Sequence, residues 1–179
     1  MNYATIKNCD IANGVGVRIS LFVSGCTHRC KNCFNKEAWD FSYGETFDDK
    51  VENQILEMLA PSYIKGLSLL GGEPFEPQNV DGLLPFMRKV ITLKGKDVWA
   101  YSGYTLEQLL ARDGEEGEKT RELLSYIDIL VDGPFIEEKK SLGLRFRGSS
   151  NQRVIDMNKT RECGSIVIWD GCALDKKYN

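Results

Sequence analysis

Apolar residues in this chain fall into two patterns that alternate along its length: short continuous runs, and stretches in which they recur every three or four positions. Val17-Arg18-Ile19-Ser20-Leu21-Phe22-Val23 is rich in β-branched and aromatic residues and predicts a buried strand. Val51, Ile55, Met58 and Leu59 recur at helical spacing, predicting an amphipathic helix over roughly 48–60 with Pro61 at its end. Gly66-Leu67-Ser68-Leu69-Leu70 predicts a second buried strand, ended by Gly71-Gly72-Glu73-Pro74. Val80, Leu83, Leu84, Met87 and Val90 place a helix near 78–93, stopped by Gly95, with Pro85 implying a kink or a later start. Asp97–Tyr101 is a third strand ending in Ser102-Gly103. Thr105 with Gln108 has the form of a capping box, opening a short helix to about Ala111. Leu123, Leu124 and Ile127 continue a helix that yields to a strand over Ile127–Val131, and Asp132-Gly133-Pro134 turns the chain.

The remaining stretches are less regular. Residues 1–16 hold a short apolar piece and then Asp10-Ile11-Ala12-Asn13-Gly14-Val15-Gly16, which reads as a turn. Arg112–Arg121 reads as a solvated loop and helix face, and residues 135–143 as a polar, mobile segment. Arg145–Asn151 is a Gly/Ser-rich turn, while Arg153–Met157 and Ser165–Trp169 are candidate late strands. Alternating strands and helices indicate βαβ units, a mainly parallel sheet and right-handed crossovers. Four core strands with one or two late ones are too few for a closed eight-stranded barrel. The expected fold is therefore α/β, an incomplete TIM-type barrel of parallel strands with outer helices, and residues 1–179 read as a single domain.

Composition narrows the function. A net charge of −3 argues against a bulk nucleic-acid binder, which would carry a basic stripe. No apolar run approaches a membrane span and Met1–Lys7 has no signal-peptide core, so a cytoplasmic protein is expected. Six cysteines in that compartment read as reduced thiols or metal ligands rather than disulfides.

Three of the six lie in Gly25-Cys26-Thr27-His28-Arg29-Cys30-Lys31-Asn32-Cys33-Phe34, spaced C-x3-C-x2-C directly after the first strand. In parallel α/β folds that strand end is where ligands sit. Disulfide pairing would leave one of the three over, and short-range bridges are strained. A cubane iron–sulfur cluster usually takes four thiolates and a structural zinc four closed ligands. Three ligands would leave one metal corner open, which points to chemistry rather than scaffolding. Three other readings compete: a zinc knuckle of Cys26, His28, Cys30 and Cys33, a redox pair at Cys30 and Cys33, or unrelated buried thiols. Zinc sites normally draw ligand pairs from two separated segments, and a redox pair leaves Cys26 unexplained.

This cysteine loop after the first strand, with Gly71-Gly72-Glu73-Pro74 after the second, resembles the radical S-adenosylmethionine superfamily. Further segments resemble one family within it, the activating proteins of anaerobic (class III) ribonucleoside-triphosphate reductase. They are Asp10–Arg18, Leu21–Cys26, Cys33-Phe34-Asn35-Lys36 with Trp39, Pro77-Gln78-Asn79, Ser102-Gly103-Tyr104, Val131-Asp132-Gly133 and Arg147–Gln152. The match spans roughly residues 1–157, leaving 158–179, with Cys163 and Cys172, as a C-terminal extension. Many superfamily members carry an aromatic just before the third cysteine; here that place is Asn32 and the aromatic is Phe34.

The resemblance implies a radical S-adenosylmethionine fold and a [4Fe-4S] cluster held by Cys26, Cys30 and Cys33, the catalytic centre. The fourth iron would take the amino nitrogen and carboxylate oxygen of S-adenosylmethionine, whose reductive cleavage yields a 5′-deoxyadenosyl radical. It further implies that Gly71 and Gly72 let backbone approach the ligand, that Glu73 or nearby carbonyls receive its ammonium group, and that Asn32 and Phe34 contact its adenine side. Ser102 and Asn151 are candidates for its ribose or carboxylate. The implied partners are the reductase large subunit, which would gain a glycyl radical, and an electron donor such as flavodoxin or ferredoxin. His28 is expected in a loop or partner contact, Cys9, Cys163 and Cys172 as ordinary thiols, and Trp39 and Trp99 as packing residues.

Overall fold

The computed structural model describes residues 1–171, so Cys172 lies outside the described residues. Among these residues seven strands form one open sheet: β1 (Asn2–Asp10), β2 (Val17–Val23), β3 (Glu45–Thr46), β4 (Ile64–Gly71), β5 (Asp97–Tyr101), β6 (Ile129–Asp132) and β7 (Arg153–Asp156), in the order β3-β1-β2-β4-β5-β6-β7. The central four, β2, β4, β5 and β6, are mutually parallel, while β1, β3 and β7 pair antiparallel at the two margins. The fold is thus mixed α/β with a parallel-rich sheet that does not close. Among the described residues no helix is long and apolar enough to cross a membrane.

The crossovers are supplied by α1 (Asp49–Leu59), α2 (Pro77–Val90), and the pair α3 (Leu106–Leu110) and α4 (Gly114–Ser125), while α5 (Met157–Cys163) follows β7. Local chemistry sets their starts. The Asp48 side chain accepts the Val51 N–H at 3.0 Å, Pro77 stands at the first position of α2, and Thr105 and Gln108 form the expected reciprocal capping box. Pro85 sits inside α2 instead of delaying it, five residues before its end.

One face of the sheet packs on the helices. Ile19, Leu21, Leu67, Leu69, Val98, Ala100 and Leu130 meet Ile55, Leu59, Leu83, Met87 and Leu123 there, all buried. The alternate positions form a second, mixed layer. Trp99, Ile129, Val131 and Val154 are covered by Phe146 and Trp169, and the wholly buried Arg18 lies over the Trp99 ring. Trp99 is a packing residue, as expected.

The differences from the sequence reading are at the margins. The stretch read as a short apolar piece is the nine-residue strand β1, broken by two register shifts and polar on its outer side, so it lacks a clean alternation. The late strand expected over Ser165–Trp169 is only a bridge from Ile168 to Ile155, and the intervening residues form α5. Residues 135–143, expected to be mobile, hold a 3-10 turn at Glu137–Lys139 and a bridge between Lys140 and Ser149.

Candidate active site

The C-terminal ends of β2, β4, β5 and β6 open into a cavity of about 550 Å³. Its walls include Cys26, Cys30, Cys33, Asn32, Phe34, Gly71, Gly72, Glu73 and Ser102. Nine of the ten residues singled out in the sequence therefore share one cavity. Asn151 does not line it. Its amide donates to Pro134 O at 2.8 Å, placing it in the turn behind the wall formed by Phe135, Phe146 and Gln152.

Tight backbone geometry brings the three thiols to one space. Gly25 has φ +96°, and Arg29 and Asn32 also occupy the left-handed region, at +47° and +57°. Asn tolerates that conformation far better than an aromatic residue, which gives a physical reason for Asn32 at this position. The loop is pinned at its base: Gly25 N–H donates to Ala38 O at 2.8 Å and Cys26 N–H to Trp39 O at 3.3 Å.

The Gly-Gly-Glu turn locks onto the same loop. Gly72 N–H donates to Val23 O at 2.7 Å and Glu73 N–H to Gly25 O at 2.8 Å. Gly71 has φ +112°, and a Cβ at Gly72 would stand 2.4 Å from Gly25 O. The chain's own backbone alone crowds this position enough to demand glycine. Asn79, fully buried in the first turn of α2, donates to Ser24 O and to Glu73 O, each at 2.9 Å, clamping the two loops together.

Two buried carboxylates complete the frame. Glu76 accepts from Thr27 N at 2.9 Å and from the Thr27 hydroxyl. Glu73 accepts from Phe75 N and Ser102 Oγ on one oxygen, and from Gly103 N on the other, which also meets His28 Nε2 at 3.0 Å. This bond holds the His28 pKa above its ordinary value. The same ring lies 4.3 Å from Tyr104, over which the Arg112 guanidinium stacks. The sequence reading gave no role to Glu76, Tyr104 or Arg112; Tyr104 carried a signal as the last residue of the Ser102-Gly103-Tyr104 segment, and Glu76 by lying at the start of α2 beside the Gly-Gly-Glu-Pro turn.

Burial pushes the Cys26 thiol up to about 11 and raises Cys30 as well. A positive metal reverses that preference, since thiolates are the ligating form and metal binding releases their protons. Among the described residues no three His, Cys, Asp or Glu groups are arranged to hold a single metal ion. His28 belongs to no such group, which weighs against the zinc knuckle considered above; its Nε2 meets Glu73 Oε2 at 3.0 Å. Three thiols around one cavity, with no fourth sulfur lining it among the described residues, fit a polynuclear centre with one corner left for an exchangeable ligand. Phe34 stands at the rim, 88% exposed, and Trp39 lines the wall.

Comparison with known proteins bears on the same residues. Residues 12–155 match the family model described as a 4Fe-4S single cluster domain. The chain is 46% identical over 155 residues to the anaerobic ribonucleoside-triphosphate reductase-activating protein of Haemophilus influenzae, covering 85% of this chain and 96% of that one. The protein of the same description from Pasteurella multocida is also 46% identical over 155 residues, with 95% of it covered. The one from Escherichia coli K12 is 41% identical over 157 residues, covering 86% of this chain and 97% of that one.

Proposed function

This chain belongs to the family of anaerobic ribonucleoside-triphosphate reductase-activating proteins, and on that premise we propose that it installs a glycyl radical on its reductase by reductive cleavage of S-adenosylmethionine. The carrying observation is that the three cysteines and the Gly-Gly-Glu turn line one cavity at the ends of four parallel strands. Cys26, Cys30 and Cys33 would hold the [4Fe-4S] cluster. When bound, the cluster supplies one electron at low potential to the sulfonium of S-adenosylmethionine; iron–sulfur potentials span about −700 to +450 mV, so that range is reachable.

The chain's own part is position and exclusion of water. Gly71, Gly72, Ser102 and Gly103 line the cavity, where their backbone would suit the polar end of the ligand. Tyr101, Leu144 and Phe146 form an apolar wall that keeps water from a reactive centre. Asn32 and Phe34, beside the third cysteine, suit the adenine side. The cavity is in the range that one nucleoside-sized ligand fills, so a protein substrate would reach in with a short segment only.

Further parts of the proposal concern setting. The four parallel strands, flanked on one face by helices with the cavity at their C-terminal ends, support an incomplete barrel as the parent architecture. One sheet running through all the described strands supports a single domain. A low-potential carrier such as flavodoxin or ferredoxin would deliver the electron, in a cytoplasm that keeps thiols reduced.

The test is anaerobic. Reconstituted, reduced protein with S-adenosylmethionine and the reductase should yield a glycine-centred signal by electron paramagnetic resonance. Cleavage of S-adenosylmethionine with no signal on the reductase would reassign the substrate to another glycyl-radical enzyme or a small molecule. No cleavage at all would overturn the proposal.

A further inference from the structure

The Glu73 carboxylate sits where three loops meet, 1% exposed, and its acceptor capacity is filled from within the protein. Oε1 accepts from Phe75 N and Ser102 Oγ, both at 2.9 Å, and Oε2 from Gly103 N at 2.7 Å and from His28 Nε2 at 3.0 Å. An ionised carboxylate offers about four lone-pair sites, so no site remains for a ligand's ammonium group. The partners come from the turn after β4, the loop after β5 and the cysteine loop after β2.

The His28 end is built as carefully. The ring is held against Tyr104, and a Cβ at Gly103 would stand 2.5 Å from it, so glycine there makes its berth. His28 lies two residues from Cys26 and two from Cys30. Its neighbour Thr27 is fastened to Glu76 by two hydrogen bonds. The segment joining two of the three thiols is therefore tied down at its middle to the loops after β4 and β5.

We propose that Glu73 and His28 are a positioning pair: the carboxylate clamps the Cys26–Cys30 segment in place and does not itself receive S-adenosylmethionine. This rests on the reading of the cavity as the cluster and S-adenosylmethionine site. The ligand's ammonium group is then left to carbonyl oxygens along the cavity wall at Gly71 and Gly72.

Glu73→Gln keeps the shape but swaps one acceptor oxygen for a donor that faces other donors. His28→Leu removes the tie and keeps the bulk, and His28→Gln retains a donor of similar reach. Three quantities are measured on the full-length chain: the dissociation constant for S-adenosylmethionine after anaerobic reconstitution, iron retained per chain, and the alkylation rate of Cys26 in metal-free protein, mapped by mass spectrometry. Melting curves run alongside.

A positioning pair predicts that Glu73→Gln and His28→Leu each weaken S-adenosylmethionine binding by roughly tenfold, within the range of coupled networks. It also predicts that the double variant is no worse than either single one. Cys26 alkylation should accelerate by the same factor in all three, and His28→Gln should recover most of both losses. Weakened binding in Glu73→Gln with His28→Leu unchanged overturns the proposal in favour of direct ligand contact. So do additive effects, and so does a lowered melting point with Cys26 alkylation unchanged below it. Should the unmodified chain bind no S-adenosylmethionine while the alkylation coupling persists, the clamp stands and the ligand reading alone falls.

Discussion

Arg18→Met tests the least ordinary feature of the sheet, a guanidinium with no exposed surface. Nη1 pairs with Asp97 Oδ1 at 2.5 Å and donates to Val15 O at 3.1 Å; Nε donates to Ser68 Oγ at 2.8 Å, and Nη2 to Leu67 O at 2.7 Å. Methionine replaces much of the volume and none of the donors. Ser68 keeps its bond to Asn13 O, Asp97 is 26% exposed and keeps Lys65 at 3.6 Å, and the Val15 loop reaches water. Leu67 O is left in the interior without that donor. Breaking a fully buried pair costs about 3–5 kcal/mol and orphaning one interior acceptor about 1–3. With Asp97 partly solvated, the expected loss is about 2–4 kcal/mol, or roughly 4–16 °C of melting temperature for a chain of this size. Urea unfolding of the metal-free chain, followed by far-ultraviolet circular dichroism, measures it; fluorescence is avoided because Arg18 lies over Trp99. The slope with denaturant should stay constant. A loss below about 1 kcal/mol would refute the reasoning, since the network would then contribute no more than a surface ion pair.

Three further outcomes are expected. Gly72→Ala drives a methyl into Gly25 O, and overpacking of this kind costs about 1–3 kcal/mol; iron retention should fall while helical content is kept, and wild-type retention would contradict the packing account. Replacing Cys26, Cys30 or Cys33 by Ala should abolish the brown colour and the bound iron, whereas Cys9→Ser and Cys163→Ser, both at exposed thiols, should leave them intact. Arg153 holds the Glu107 carboxyl down at about 2 from 4.5, so this pair stabilises above about pH 4.5 and its contribution disappears as the pH falls toward 2. Because Glu107 is largely exposed, Glu107→Gln should lower stability at pH 7 by only about 0.2–1 kcal/mol and flatten the acid limb of the stability curve, as acid titration of the two chains would show.

Much of the fold was legible because the central strands are buried on both faces. Val17–Val23 and Asp97–Tyr101 read as strands from composition alone, and their bounds match those of β2 and β5. Legibility failed where one face meets water or the pairing is irregular. β1 carries Lys7, Asn8 and Asp10 within a strand interrupted by bulges, so neither a continuous apolar run nor a strict alternation survives. At the other margin, Val167 and Trp169 make two backbone hydrogen bonds to the β7 strand, enough for one bridge but not a ladder. Hydrophobicity reports burial, and the number of hydrogen bonds a margin segment makes is set by its neighbours.

The site divides along a similar line. Cysteine spacing reveals its chemistry locally, because three thiols within eight residues must face a common centre if the loop coils tightly, and positive φ at Gly25, Arg29 and Asn32 is how it coils. What spacing cannot show is which polar atoms are already engaged. Glu73 reads from sequence as a ligand-facing carboxylate and Asn79 as part of a helix start, yet both are buried and bonded to the chain itself. Those bonds join residues 45 to 55 positions apart, His28 to Glu73 and Ser24 to Asn79, across the β2–β4 crossover. A buried acceptor left without its donor is costly, so each of these residues can be required for folding the site without touching anything that reacts there. Separating the two kinds of requirement needs the partner atom, and that appears only once the parallel strands have brought the loops to one end of the sheet.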